Sequence, residues 1–103
     1  MNIYVRNITA GTIGSDETLC EGVIPATITG DLSSGGSGVF AYQWQSSTDN
    51  ITWSDVSGEI AKDLVFSSSL SSTTYYRRKT TDQSAEVLTN IITVTVNLSL
   101  IHI

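Results

Sequence analysis

The sequence predicts an all-β domain, an antiparallel sandwich of about seven strands. Apolar and polar residues alternate with a period of two in "FAYQWQSS" at 40–47 and "IITVTVN" at 91–97, which is the pattern of strands with one buried face. Turn sequences such as "SSGGSG" at 33–38 separate the short β-rich runs. No window shows the 3.6-residue period of an amphipathic helix, so we expect almost no helix.

Seven runs qualify as strands when the chain is followed in order. Each is rich in β-branched or aromatic residues and is bounded by Gly, Ser, Asp or Asn clusters, which favour turns. We expect strands at 17–20, 26–30, 40–47, 51–56, 63–68, 72–81 and 91–97.

Two tryptophans lie on either side of the turn "STDN" at 47–50. Trp44 is in the middle of an alternating run, where immunoglobulin-like sandwiches place a core tryptophan on their third strand. We therefore predict an immunoglobulin-like sandwich with Trp44 in its core, beside Phe66 and Val94. Trp53 falls in the opposite phase, so we expect it on the outer face against the stems of Arg77 or Lys79. A sugar-stacking role for Trp53 is the alternative.

The run "TTYYRRKTT" holds the main basic cluster. Alternation along a strand directs Tyr75, Arg77 and Lys79 to one face, and Tyr76, Arg78 and Thr80 to the other. Because both faces cannot be core, we expect a strand at or near an outer sheet, with arginine heads in water. Tyr75 or Tyr76 is a candidate for the tyrosine corner of the fold. Trp53, Arg77 and Lys79 are the candidate ligand contacts, for an anion, a saccharide or a protein.

Composition narrows the function classes. The chain has 103 residues, enough for one domain, and a net charge of -5 with only five lysines and arginines. So few cations cannot neutralise many phosphates, which argues against nucleic acid as a partner and against anionic membranes. No apolar run is long enough to insert into a membrane. The single Cys20 excludes an internal disulfide, and we expect it to be a small buried residue that reacts only after denaturation.

Catalytic and metal-binding patterns are missing from the sequence. The aspartates are scattered at loop edges, and no calcium-binding D-x-D-x-D-G loop occurs. Turn and capping roles suit these carboxylates. Calcium at a domain junction, held by Asp16 and Glu17, is the alternative. We predict neither enzymatic activity nor a cofactor.

Three segments resemble a known family: "AGTIGSDETLC", "YQWQSSTDNITW" and "TTYYRRKTT". They are similar to the immunoglobulin-like repeats of large secreted surface proteins of Bacteroidota, of the adhesin and gliding-motility-associated type. The resemblance covers about Ala10 to Val96. It implies an extracellular or cell-surface module carried in tandem copies, without catalytic residues. Many such repeats pair the cysteine matching Cys20 with a second one, but "DQSAEVLTN" at 82–90 contains none.

The two ends define the predicted domain boundaries. The last six residues, "LSLIHI" at 98–103, are the in-frame translation of a transposon-end sequencing adapter, and we exclude them from functional reasoning. Residues 1–9 are expected to be a linker or the closing strand of a preceding repeat, and residues 10–97 the repeat itself. The expected function is a structural spacer or adhesive repeat whose partners are neighbouring repeats. A carbohydrate- or protein-binding module on a surface glycan or protein is the alternative.

Overall fold

A computed structural model describes residues 8–36, 38–83 and 85–97 of the chain. The described residues form strands, turns and bends without a helix, as the period-two pattern predicts. The eight strands are β1 (Ile8–Thr9), β2 (Glu17–Cys20), β3 (Ser34–Gly35), β4 (Ala41–Ser47), β5 (Ser54–Asp55), β6 (Thr74–Asp82), β7 (Ala85–Leu88) and β8 (Ile92–Asn97).

The main sheet has the strand order β2-β8-β6-β4-β5, and β7 also pairs with β6. Every pair in it is antiparallel except β2 with β8, which run parallel. One sheet of an immunoglobulin-like sandwich has the strand order G-F-C-C′. The order β8-β6-β4-β5 follows this pattern. The predicted fold class, an all-β and mostly antiparallel sandwich, is therefore confirmed.

Strand β6 is central, and β7 and β8 share one of its edges. Lys79 is opposite Leu88 on β7, whereas Tyr76 is opposite Ile92 on β8. Between these pairs, two residues of β6 face the three residues 89–91, so the edge contains a one-residue β-bulge. Thr89 anchors the bulge: its N–H donates to the Arg78 carbonyl at 3.0 Å, and its hydroxyl accepts from the Arg78 N–H at 2.9 Å.

The second layer is held by much shorter pairings. A bridge joins Ile13 to Gly30, a second joins Ile28 to Leu64, and β1 pairs with β3. The predicted strands at 26–30 and 63–68 are thus reduced to isolated bridges.

Of the predicted strand at 51–56, only Ser54 and Asp55 form a strand, β5. The start of the segment is a turn instead, because the Asp49 carboxylate binds its backbone N–H groups. It accepts hydrogen bonds from the N–H groups of Ile51 and Thr52 at 2.9 and 2.8 Å. These bonds lower the pKa of Asp49 to about 2, with the bond from Thr52 having the largest effect.

The core lies between the layers around Trp44, which has no exposed surface. Val94 belongs to the same buried cluster and Phe66 packs against it, as the sequence predicts. The Trp44 indole N–H donates to the Ala61 carbonyl at 2.9 Å, so this buried donor is satisfied. Strand β8 alternates as predicted, with Ile92, Val94 and Val96 buried.

The predicted burial of Cys20 is wrong. Cys20 is exposed, at the end of β2 opposite Asn97. Leu19, its neighbour, packs against the core cluster, and alternation then directs the next side chain outward. The thiol should accordingly react in the native protein.

Candidate functional site

The outer face of the main sheet carries the three candidate ligand contacts. Arg77 and Lys79 lie on β6, opposite Gln45 and Gln43 on β4. Trp53 precedes β5 at the sheet edge and is half-buried. The antiparallel register between β4 and β6 therefore brings residues separated by more than thirty positions in the chain onto one surface.

Arg77 and Trp53 stack directly. The guanidinium carbon of Arg77 lies 4.2 Å from the centre of the Trp53 ring, within the range of a cation–π contact. The Arg77 Nε–H donates to Gln45 Oε1 at 2.8 Å, and the Gln45 amide donates to Asp55 Oδ1 at 2.9 Å. The predicted position of Trp53 on the outer face, packed against Arg77, is confirmed, although the contact is with the guanidinium group and not with the aliphatic stem.

Lys79 belongs to a different part of the same face. Its ammonium group lies 3.8 Å from Glu86 Oε2 on β7, on the edge of β6 away from β4. Trp53 and Arg77 therefore form one contact, which we call the outer stack, and Lys79 is not part of it. Whether any of the three binds a ligand remains a prediction.

Arg78 occupies the opposite face, and here the sequence prediction of arginine heads in water is wrong. Its side chain is completely buried. The two terminal nitrogens donate to three backbone carbonyls: Lys62 at 2.7 Å, Ala10 at 2.7 Å, and Asp31. The guanidinium carbon also lies 4.3 Å from the centre of the Tyr42 ring.

The contacts of Arg78 join segments that are far apart in the sequence. Ala10, Asp31 and Lys62 belong to the second layer, whereas Arg78 belongs to the central strand of the main sheet. One guanidinium thus holds the two layers together. We call Arg78 with these three carbonyls the inner clamp. Gly30 lines it, because a Cβ at that position would collide with Arg78 Nη1.

The electrostatics of the inner clamp follow from its burial. Desolvation lowers the pKa of Arg78, partly offset by Tyr42, Asp31 and Asp63. The pKa of Asp63 is itself lowered, first by a hydrogen bond from the Gly30 N–H and then by Lys62. Among the described residues the Arg78 Nε–H meets no acceptor, so the guanidinium uses only its two terminal nitrogens.

Alternation was a sequence signal for the position of Arg78, but it does not identify the carbonyls of the inner clamp. It places Arg78 beside Tyr76 and Thr80, and both are buried. The Tyr76 ring meets Phe66 edge to face at 5.3 Å, and so Tyr76 is a core aromatic. Desolvation raises its pKa to about 12.

Asp16 and Glu17, the calcium alternative, are engaged by backbone groups. Asp16 Oδ1 accepts the Thr93 N–H at 2.8 Å, and the Glu17 carboxylate accepts the Ala26 N–H at 3.2 Å. Within residues 8–36, 38–83 and 85–97, no three His, Cys, Asp or Glu side chains are grouped as metal ligands would be.

Two of the open clefts in the described part of the chain border the second layer. One is lined by residues 14–17 and 26–29. The other, of about 220 Å³, has mainly apolar walls that include Leu64, Phe66 and Tyr76. Glu59 is the one carboxylate in that lining.

Together, the strand order and the core tryptophan define the chain as an all-β, mostly antiparallel β-sandwich. A family model described as a domain of unknown function, DUF8696, matches residues 9–98, and the chain belongs to this family. Neither the curated proteins nor the solved structures yield a match to it. In the part of the chain that the structure describes, no helix is long and apolar enough to cross a membrane.

Proposed function

We propose that this domain is a non-catalytic structural spacer, or adhesive repeat, of a long multi-domain bacterial cell-surface protein. Its partners would be neighbouring copies in the same polypeptide, arranged end to end outside the cell. The family match carries no functional description, so the proposal is supported by geometry and by the resemblance of the sequence to bacterial surface repeats.

The positions at which the chain enters and leaves the domain carry the proposal. Ile8 pairs with Gly35, and the neighbouring Gly36 lies against Asp82, the last residue of β6. At the other end, Val94 is opposite Thr74, the first residue of β6, and Asn97 lies three residues further out. The described chain therefore enters at one end of the sheet and leaves at the other.

This geometry suits a rod. Eight residue steps along β6 and three more along β8 separate the two ends, or roughly 36 Å at about 3.3 Å per step. Successive copies joined through these ends would add their lengths along one axis. Domains whose chain entered and left at the same end would instead form a compact cluster or a side-by-side array.

The state of the outer face also favours a spacer over a binding module. A ligand would need the Trp53 ring and the Arg77 guanidinium, but these groups stack on each other. Gln45 and Asp55 continue the same hydrogen-bonded chain. A ligand would have to displace these contacts before it gained its own.

Small-angle scattering on one, two and three joined copies of the chain tests the proposal. We expect the maximum dimension to grow by a constant increment near 36 Å for each copy, and the cross-section to stay unchanged. A maximum dimension that grew much less than the increment, with a thickening cross-section, would contradict the spacer.

Glycan-array binding tests the rival function on the same protein. We expect no saccharide to bind with micromolar affinity. If one did, and if binding were lost in Trp53→Ala while the variant kept its native circular dichroism, the outer stack would be a carbohydrate platform. Ser57→Ala, at an exposed position beyond β5, is the control for a nonspecific effect of substitution.

A further inference from the structure

Hydrogen bonds connect the first and last segments of the described domain along their length. The Ile13 N–H donates to Asn90 Oδ1 at 2.9 Å, and the Asn90 amide donates back to the Ile13 carbonyl at 3.3 Å. Next, the Thr93 N–H donates to Asp16 Oδ1 at 2.8 Å. Strand β2 then pairs with β8 from Glu17 opposite Val94 to Cys20 opposite Asn97.

The pairing continues past the end of β2, since the Glu21 N–H donates to the Asn97 carbonyl at 3.1 Å. The contacts thus run from Ile13 to Glu21 on the first segment and from Asn90 to Asn97 on the last. We call this set the terminal clasp. It consists of two side-chain links, Asn90 and Asp16, followed by a parallel ladder.

The direction of the clasp determines how it meets a pulling force. Strands β2 and β8 both run toward the end of the sheet where Asn97 leaves. Tension through the two ends pulls the first segment toward the entry end and the last segment toward the exit end. The two strands are therefore pulled in opposite directions along their common axis, which loads their hydrogen bonds together in shear.

A hairpin pulled at its open end behaves differently, because its hydrogen bonds break one after another. Each hydrogen bond contributes little to equilibrium stability, but several bonds that must break in one step raise the barrier to forced unfolding. Resistance to force is set by the unfolding rate rather than by the equilibrium free energy.

We propose that the terminal clasp is the element of this domain that resists a pulling force, and that Asn90 and Asp16 are its locking residues. The inference rests on the proposed function in that a spacer in a surface array would experience tension along this axis. Neither locking residue contributes to the core: both side chains are on exposed residues, and each bonds backbone groups of the partner segment.

Single-molecule pulling on tandem copies of the chain tests the clasp. Asn90→Ala and Asp16→Ala should each unfold at least about fivefold faster than the parent at the same constant force, as expected for one lost hydrogen-bonded link. Asp55→Ala is the matched control, because it also removes an exposed carboxylate from a hydrogen bond but lies outside the clasp. It should unfold at the parent rate.

Changing the pulling direction separates the clasp from general stability. A handle at Thr48→Cys, in a Cys20→Ser background, lies at the exit end, since Ser47 is opposite Tyr75 near the start of β6. Pulling between this handle and the C-terminus peels β8 from its end. In that direction we expect a lower unfolding force and no effect of Asn90→Ala.

The clasp would be contradicted if Asn90→Ala and Asp55→Ala accelerated unfolding equally. It would also be contradicted if Asn90→Ala weakened the resistance to unfolding equally in both pulling directions. Asp16→Ala keeps the test decisive should Asn90→Ala fail to fold. Failure of the spacer would be seen separately, as compact joined copies in scattering. A strong clasp in a compact array would leave the mechanical inference standing and remove the proposed function.

Discussion

The two faces of strand β6 differ sharply in the exposure and contacts of their arginines, although neighbouring residues of the same strand supply them. On the outer face, Arg77 stacks on the half-buried Trp53 and shares a hydrogen bond with Gln45. On the inner face, Arg78 is fully buried and donates to backbone carbonyls of three distant segments. Two adjacent arginines thus have different structural roles: Arg77 packs on the surface, and Arg78 joins the two layers.

The comparison teaches that residue type alone does not decide exposure. A buried guanidinium is tolerated where carbonyl oxygens and an aromatic face replace water around it. The inner clamp supplies both, through three carbonyls and the Tyr42 ring. The outer face supplies one amide oxygen and an indole, and Arg77 remains partly exposed there.

The tryptophans provide the largest expected difference between the faces. Trp44→Ala should lower the free energy of unfolding by about 3–5 kcal/mol, because it empties the centre of the core. Trp53→Ala should cost less, about 1–2 kcal/mol, because it removes a half-buried ring and one cation–π contact. Urea unfolding of the two variants measures both values. Iodide should quench Trp53 in Trp44→Phe but not Trp44 in Trp53→Phe; strong quenching of Trp44 would contradict the core assignment.

The arginines come next. Arg78→Met keeps most of the side-chain volume but removes the donors to three backbone carbonyls, so we expect a loss of about 2–4 kcal/mol. Arg77→Met, one residue away, should change the free energy of unfolding by about 1 kcal/mol or less. Thermal and urea unfolding of this matched pair compare the two faces directly. Equal losses would mean that the inner clamp contributes no more than the outer stack.

The inner-face Tyr76 predicts an alkaline transition. Its pKa is raised to about 12 by burial, while an unfolded tyrosine ionises near 10. The unfolded state therefore releases this proton first, and the free energy of unfolding should fall as the pH rises from about 10 to about 12. Urea titrations across this range measure the slope. Tyr76→Phe should reduce it; an unchanged slope would assign the transition to another group.

The smallest effect is the coupling within the outer stack. A double-mutant cycle with Trp53→Ala and Arg77→Ala should give a coupling free energy of about 0.5–1 kcal/mol. Lys79→Ala in place of Arg77→Ala is the control, because Lys79 faces Glu86 instead of Trp53. Its cycle with Trp53→Ala should show no coupling within error, and comparable coupling in both cycles would mean that the stack is not a specific contact.

Much of the fold was predictable because strand geometry repeats every two residues. The alternation at 40–47 and 91–97 identified the core positions of β4 and β8, and the turn at 47–50 separated the two tryptophans. Strand β7 was missed, since "AEVL" is short and owes its conformation to pairing with β6 across the bulge. The prediction of a buried Cys20 was also wrong: cysteine is commonly a buried residue type, but alternation along β2 places Leu19 inside and Cys20 outside.

The candidate site was only partly predictable. The stacking of Trp53 on Arg77 followed from the phase of two neighbouring strands. The inner clamp did not, because its acceptors come from Ala10, Asp31 and Lys62, whose carbonyls carry no mark in the sequence. The terminal clasp was likewise hidden, since Asn90 and Ile13 are separated by 77 positions.

The sequence by itself determined which residues share a face, because successive side chains of a strand point in opposite directions. It therefore grouped Tyr76, Arg78 and Thr80 on one side of β6, and Tyr75, Arg77 and Lys79 on the other. Only the tertiary structure decided that the first group is buried and that a cation belongs within it. The reason is that burial of Arg78 depends on carbonyl acceptors that long-range packing brings together, and no local pattern records them.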